Sequence, residues 1–194
     1  MRKRFWLSVL CLWPTAALAA EYSSTYSKFD LEKTCTLIEK GDEFVYAGTW
    51  KCPGLKDLDV VIASSDDRDY VGFGPKGAET CSFKKTFSRF STALSPIEWR
   101  LKDGKPIAAI ERWRVVMDDD GNTNTWLVVT ALKGGEACPV HYVAGSYPDA
   151  NAQARRAADD LAEDFNCETG VPTVDSKAGE PGITMMACGE LASE

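Results

Sequence analysis

Six cysteines stand behind a leader that reads as an export signal, and that pairing limits what the chain can fold into more than any other feature. Arg2, Lys3 and Arg4 make a basic start, Phe5 to Trp13 is a short apolar stretch, and Ala17-Leu18-Ala19 is a small-x-small cleavage site. Residues 1–19 are therefore expected to be a signal peptide. Residues 20–167 are expected to form one domain, and residues 168–194 an irregular C-terminal tail that a bridge through Cys188 would tie down. The implied location is periplasmic or secreted, an oxidising setting in which cysteines cross-link rather than bind metal or attack substrate. Cys11 sits in the leader behind Leu10, a poor fit to a lipoprotein signal. The other six are Cys35, Cys52, Cys81, Cys138, Cys167 and Cys188. Their even count fits three bridges, among fifteen connectivities. Cys35–Cys52 is a plausible local pair, Cys138–Cys167 would join a strand to a helix end, and Cys81–Cys188 is what remains. There is no Cys-x-x-Cys spacing and one histidine, His141, so neither a zinc cluster nor a cofactor is expected.

The charge balance narrows the partners. The chain carries a net charge of −7, and losing the three basic leader residues takes it to −10. Such a surface repels nucleic acid and anionic lipid but leaves a basic protein or a glycan open as partner; its simplest use is solubility. No segment approaches the roughly 20 apolar residues that span a bilayer, so no membrane span is expected.

Patterning supplies the elements. Phe29 to Glu39 reads as a short helix capped by Asp30, with Leu31, Cys35 and Ile38 on one face. Phe44 to Cys52 reads as extended chain stopped by Pro53-Gly54, and Leu58 to Ala63 and Tyr70 to Phe73 as strands joined by a polar turn. Phe83, Phe87 and Phe90 have helical spacing in a segment too short to assign. Ile97, Trp99 and Leu101 alternate with polar residues before Asp103-Gly104, a tight-turn pair, and Pro106 to Met117 returns. Thr125 to Leu132 and Cys138 to Ala144 follow, separated by Gly134-Gly135. One helix is clear: Ala150, Ala154, Ala157, Leu161 and Phe165 form an apolar stripe widened by Ala158 and Ala162, with Asp159, Asp160, Glu163 and Asp164 toward water. The expected class is α+β: an antiparallel sheet of about five to seven strands, with one C-terminal amphipathic helix packed on it, stapled by disulfides.

No motif carries chemistry strongly. Gly72-Phe73-Gly74-Pro75-Lys76-Gly77 matches the dinucleotide fingerprint literally, but no helical pattern follows it. Asp118, Asp120, Asn122 and Asn124 place oxygens at alternate positions, as a calcium loop does, yet the bidentate Glu at the twelfth position is missing. Glu98 and Glu111 lie on opposite arms of the hairpin, where two carboxylates about 5–9 Å apart would suit glycoside hydrolysis; Arg100, Arg112 and Arg114 on the same strands make cross-strand ion pairs the simpler reading. His141 lacks a visible nucleophile and orienting group, Ser146 notwithstanding. Trp50, Trp99, Trp113 and Trp126 are expected mostly in the core, with one or two available for a carbohydrate or protein contact. Lys84, Lys85 and Arg89 are too few to bind nucleic acid.

Three stretches taken together carry a likeness: Phe29-Asp30-Leu31-Glu32-Lys33-Thr34-Cys35 with Trp50-Lys51-Cys52-Pro53-Gly54; the hairpin from Ile97-Glu98-Trp99-Arg100 to Arg112-Trp113; and the alanine-rich helix entering Phe165-Asn166-Cys167. They resemble a group of small exported proteobacterial proteins with no assigned activity, over most of residues 29–167. The resemblance implies that Cys35, Cys52, Cys138 and Cys167 form a common disulfide framework, with Cys81 and Cys188 an additional pair, and it lends no catalytic residues. The expected function is an exported, non-enzymatic binding module, in one form an inhibitor of a basic cell-wall hydrolase. The alternatives are a glycan hydrolase using Glu98 and Glu111, or a purely structural envelope protein.

Overall fold

A computed structural model describes residues 20–41, 47–175, 177, 182–183 and 187–191; the leader, with Cys11 and the cleavage site, lies outside them. Its strands are β1 (Tyr22–Ser27), β2 (Thr36–Lys40), β3 (Gly48–Leu55), β4 (Leu58–Ser65), β5 (Arg68–Phe73), β6 (Ser91–Lys102), β7 (Lys105–Val116), β8 (Thr123–Lys133), β9 (Glu136–Ala144) and β10 (Thr173–Asp175). Three short helices accompany them: α1 (Cys81–Lys84), α2 (Ala150–Leu161) and α3 (Cys188–Leu191). The strands form one ten-stranded sheet in the order β10-β9-β8-β7-β6-β5-β4-β3-β2. β1 runs antiparallel to the second half of β6, Tyr22 opposite Lys102 through Ser27 opposite Ile97, while β5 meets the start of β6 in parallel at Arg68 and Ser91.

This architecture corrects the expected class. The described chain is mostly β, and a large mixed sheet with three short helices replaces an α+β sheet of five to seven antiparallel strands with one helix. Two junctions, β5–β6 and β9–β10, are parallel. The helix expected over Phe29 to Glu39 is a single turn followed by a strand. Asp30's carboxylate accepts the N–H groups of Glu32 and Lys33, and its carbonyl accepts those of Lys33, Thr34 and Cys35. The bond from Cys35 to Cys52 of β3 then holds the following residues against β3 as β2. A covalent tie to a strand outweighs a helical spacing of three residues, because periodicity is only a weak local preference. β1 escaped notice because its Tyr-Ser-Ser-Thr-Tyr-Ser sequence is polar, and β10 because it lies in a Pro/Gly-rich tail.

Three disulfides close the fold: Cys35–Cys52, Cys138–Cys167 and Cys81–Cys188. They fix β2 to β3, β9 to the segment after α2, and α3 to α1. No helix among the described residues is long and apolar enough to cross a membrane.

The sheet buries both faces of its centre. One face of β7, β8 and β9 joins β4, β5 and β6 in a core of Val60, Ile62, Val71, Phe73, Trp99, Trp113, Trp126, Val128 and Tyr142. Phe73 meets Trp99 edge-on at 5.5 Å between centroids, and Phe87 packs on Trp113 at 5.4 Å, the offset geometries that aromatic quadrupoles favour. The opposite face, with Ala108, Ile110, Leu127, Val129, Val140 and Val143, lies under Ala150, Ala154, Ala158 and Ala162 of the α2 segment. Burial on both faces explains why β8 and β9 read as continuous apolar runs rather than alternating ones. Alanines every fourth residue bring the helix close to the sheet, and charged residues then latch its flank. Glu98, Arg100 and Lys102, at every second position of β6, pair with Arg155, Asp159 and Glu163, at every fourth position of the helical segment. The match is geometric: two strand residues rise about 6.6 Å and four helical residues about 6 Å.

The glycines of the literal dinucleotide motif are structural. A Cβ on Gly72 would stand 1.9 Å from the Gly77 carbonyl oxygen, and one on Gly77 2.7 Å from Val61. The motif packs chain against chain, and only a 3₁₀ turn, Gly77–Glu79, follows it.

Candidate functional site

The site forms where the chain enters β6 and leaves β7. Of the three phenylalanines before β6, Phe87 is buried and Phe83 packs on Tyr70, but Phe90 exposes 48% of its surface. Its backbone is held in place: the Phe90 carbonyl accepts Val116 N–H at 2.9 Å, and Ser91 N–H donates to the Asp67 carbonyl at 2.9 Å. A large apolar ring is thus presented to solvent from a fixed support. Clefts open on both sides of it, sharing Phe90 and Val116 as a common wall. One, about 580 Å³, is lined by Ser88, Arg89, Asp118, Asp119 and Gly121. The other, about 420 Å³, is lined by Leu31, Ser64, Asp67, Asp69, Ser91, Thr92 and Arg114. Both volumes fall in the roughly 300–1,000 Å³ range of small-molecule sites.

The polar groups divide into two kinds. Asp118 belongs to the wall: its two carboxylate oxygens accept the backbone and side-chain N–H groups of Asn122 at 3.0 and 2.7 Å, bonds that hold its pKa below the usual carboxylate value. Asp69 is buried and accepts Ala93 N–H at 2.9 Å; burial pushes its pKa up. By contrast Arg89, Arg114, Asp67 and Asp119 are exposed, and their side chains make no hydrogen bond or ion pair among the described residues. Each cleft therefore holds one guanidinium and one carboxylate free for a ligand.

The residues singled out from sequence do not converge elsewhere. In the calcium-like loop Asp118 and Asn122 bond each other, Asp120 and Asn124 are exposed, and the described residues hold no cluster of three metal-ligating side chains. Glu98 and Glu111 lie on opposite faces of the sheet, since Glu98 sits across from Ile110 and side chains alternate. Glu98 faces α2, bonded to Arg155 at 2.6 Å and to the Ser24 hydroxyl at 2.6 Å. Glu111 is sealed in the aromatic core, where its Oε1 accepts the Thr130 hydroxyl at 2.7 Å and its Oε2 accepts Trp113 Nε1–H at 3.2 Å. Burial pushes its pKa up to about 8, so it is a neutral acid at pH 7. The nearby Tyr142 hydroxyl and Trp126 Nε1 find no hydrogen-bond partner. Asp159 and Glu163, expected to face water, pair with Arg100 and Lys102 instead.

His141 stands at the β9–β10 junction. Its Nδ1 lies 2.7 Å from the Thr173 hydroxyl and its Nε2 3.3 Å from Asp175. Burial lowers its pKa, and none of the clefts described here is lined by it, Thr173 or Asp175, so these groups clip a three-residue strand to the sheet edge. Another cleft, about 610 Å³, opens between the disulfides Cys81–Cys188 and Cys138–Cys167. It displays no exposed aromatic ring, and its Lys133 is committed to the Phe165 carbonyl at 2.6 Å. Trp99, Trp113 and Trp126 are buried and Trp50 is half-buried, so the exposed ring is a phenylalanine.

No family model, curated protein or solved structure matches the chain.

Proposed function

We propose that this chain is an exported, non-enzymatic binding module whose binding face is the pair of clefts beside Phe90. One observation carries the reading: a half-exposed aromatic ring on a hydrogen-bonded backbone, between two clefts that each offer an unpaired guanidinium. Large exposed apolar groups rimmed by polar ones mark binding sites, and a pre-set ring loses little entropy on binding. Three disulfides are compatible with life outside the cytoplasm, in the periplasm or the medium. The net charge of −7 favours a second form of the same reading, docking on a basic protein such as a cell-wall hydrolase.

The test is a comparison of wild type with Phe90→Ala, each immobilised and exposed to envelope extract and medium of the exporting cell. Retained polysaccharide and protein are quantified. The wild type is expected to hold a component that the variant retains about tenfold less. Equal retention by both, or none by either, refutes the reading.

A further inference from the structure

We infer that the ligand of this face is a neutral oligosaccharide whose rings lie across Phe90, an inference that rests on the binding-face reading above. The argument starts with the backbone. A peptide added as an extra strand needs free main-chain N–H and C=O groups. Here the Phe90 carbonyl is taken by Val116, the Ser91 N–H by Asp67, and Ser91 is flanked by β5 and β7. Recognition at this face falls to side chains.

Those side chains suit hydroxyl groups. Arg89 and Asp119 serve one cleft, Arg114 and Asp67 the other, so each side offers strong donors and strong acceptors together. A sugar hydroxyl both donates and accepts, and neighbouring hydroxyls on one ring use a guanidinium and a carboxylate at once. A ligand with net charge meets a like charge in both clefts. A nucleotide, which would also stack on Phe90, brings phosphates against Asp67 and Asp119. Phe90 itself carries no polar handle, so the group above it must offer a C–H face. A pyranose ring does so while keeping its hydroxyls at the rim, in reach of both clefts. The two clefts share the Phe90 wall, so the fitting ligand is a chain of rings running from one to the other rather than a single sugar.

The probes are chitotetraose, cellotetraose and maltotetraose, titrated by calorimetry into the disulfide-bonded protein. At least one is expected to bind saturably with a Kd of about 1 mM or tighter. Phe90→Ala should weaken that binding about tenfold or more, Phe90→Tyr should preserve it, and Arg89→Ala with Arg114→Ala should weaken it further. Phe90→Tyr, retaining the ring and the fold, separates loss of the platform from loss of structure. If none of the three tetrasaccharides binds, or the one that binds ignores Phe90→Ala, the sugar assignment is overturned. If the tetrasaccharides fail but a polypeptide is retained from extract in a Phe90-dependent way, the binding face stands and only its ligand class falls. If nothing depends on Phe90, both fall.

Discussion

Replacing Glu111 with glutamine should make the protein progressively more stable than wild type as pH rises. Folded Glu111 keeps its proton up to about pH 8 because its site excludes water, whereas the unfolded chain releases it near the ordinary value of 4.5. Between those limits the folded state binds one proton more than the unfolded state, so stability falls with rising pH. The contribution is complete below pH 4.5 and gone by about pH 8. The interval 8 − 4.5 spans 3.5 pKa units, and at about 1.4 kcal/mol per unit the loss is about 5 kcal/mol. That is a large share of the roughly 5–15 kcal/mol that holds a typical domain folded. Glutamine has the shape of the neutral acid, and its carbonyl can accept Trp113 Nε1–H while its amide donates to the Thr130 hydroxyl. The assay is urea unfolding of both proteins, disulfides intact, at a series of pH values from about 5 to 8, with the difference in unfolding free energy plotted against pH. The difference should grow toward pH 8. Taking it also removes the opposing contribution of His141, whose lowered pKa makes stability rise with pH. Parallel curves for the two proteins would mean that Glu111 titrates normally and that its site is wet.

The latch and the staples give further tests. Asp159→Asn leaves Arg100 half-enclosed without its two-pronged carboxylate partner and should cost about 1–3 kcal/mol in urea unfolding, between the exposed and buried limits for ion pairs; the more exposed Lys102–Glu163 pair should tolerate Glu163→Gln better, and the reverse order would refute the ladder. Converting Cys81 and Cys188 to serine opens a loop of 107 residues and should cost about 4–5 kcal/mol, against about 3 for the 17-residue separation of Cys35 and Cys52, by loop-closure entropy; equal costs would place the effect in native-state contacts instead. Gly72→Ala drives a Cβ onto the Gly77 carbonyl and should lower the thermal midpoint by several degrees or prevent folding, whereas the open, solvent-facing Gly134 to Asn should not. Calcium at about 1 mM should leave the thermal midpoint unchanged, because Asp118 spends both oxygens on Asn122; a rise would show that the loop rearranges to bind.

Much of the sheet was legible because its signals are local. Asp103 and Gly104 both take positive φ, 50° and 75°, the tight hairpin turn that this pair encodes, and β6 and β7 extend the alternation on both sides of it. Asp66 and Asp67, at 52° and 55°, do the same between β4 and β5. The α2 stripe was visible, although its charged flank was assigned to water, because nothing in residues 150–165 announces that Glu98, Arg100 and Lys102 lie beside them. β1, β2 and β10 were missed for a different reason. Each is short or polar and extended only because a neighbour supplies its ladder partners, and sequence distance hides the neighbour: Tyr22 pairs with Lys102, and Thr173 with His141.

The candidate site was the least legible part, and its aromatic residues show why. Large rings divide between core and surface by the geometry of the whole sheet, not by their own neighbours in sequence. Phe83, Phe87 and Phe90 share a helical spacing that the chain does not use; α1 ends at Lys84, and the extended chain beyond it turns Phe87 inward and Phe90 outward. The tryptophans, the obvious candidates for a ligand platform, are consumed by a sheet that buries both faces of its centre. Arg89 and Arg114, far apart in sequence, reach the same ring only because β6 and β7 form a hairpin whose open end places Phe90 beside Val116. The free guanidiniums are meaningful for the same reason that the latch residues are not: Arg100 and Arg155 have carboxylates fixed beside them by the fold, while Arg89 and Arg114 keep their donors unspent at the rim of a cleft. A protein of net charge −7 that leaves two arginines unpaired beside its exposed phenylalanine has kept them for something other than stability.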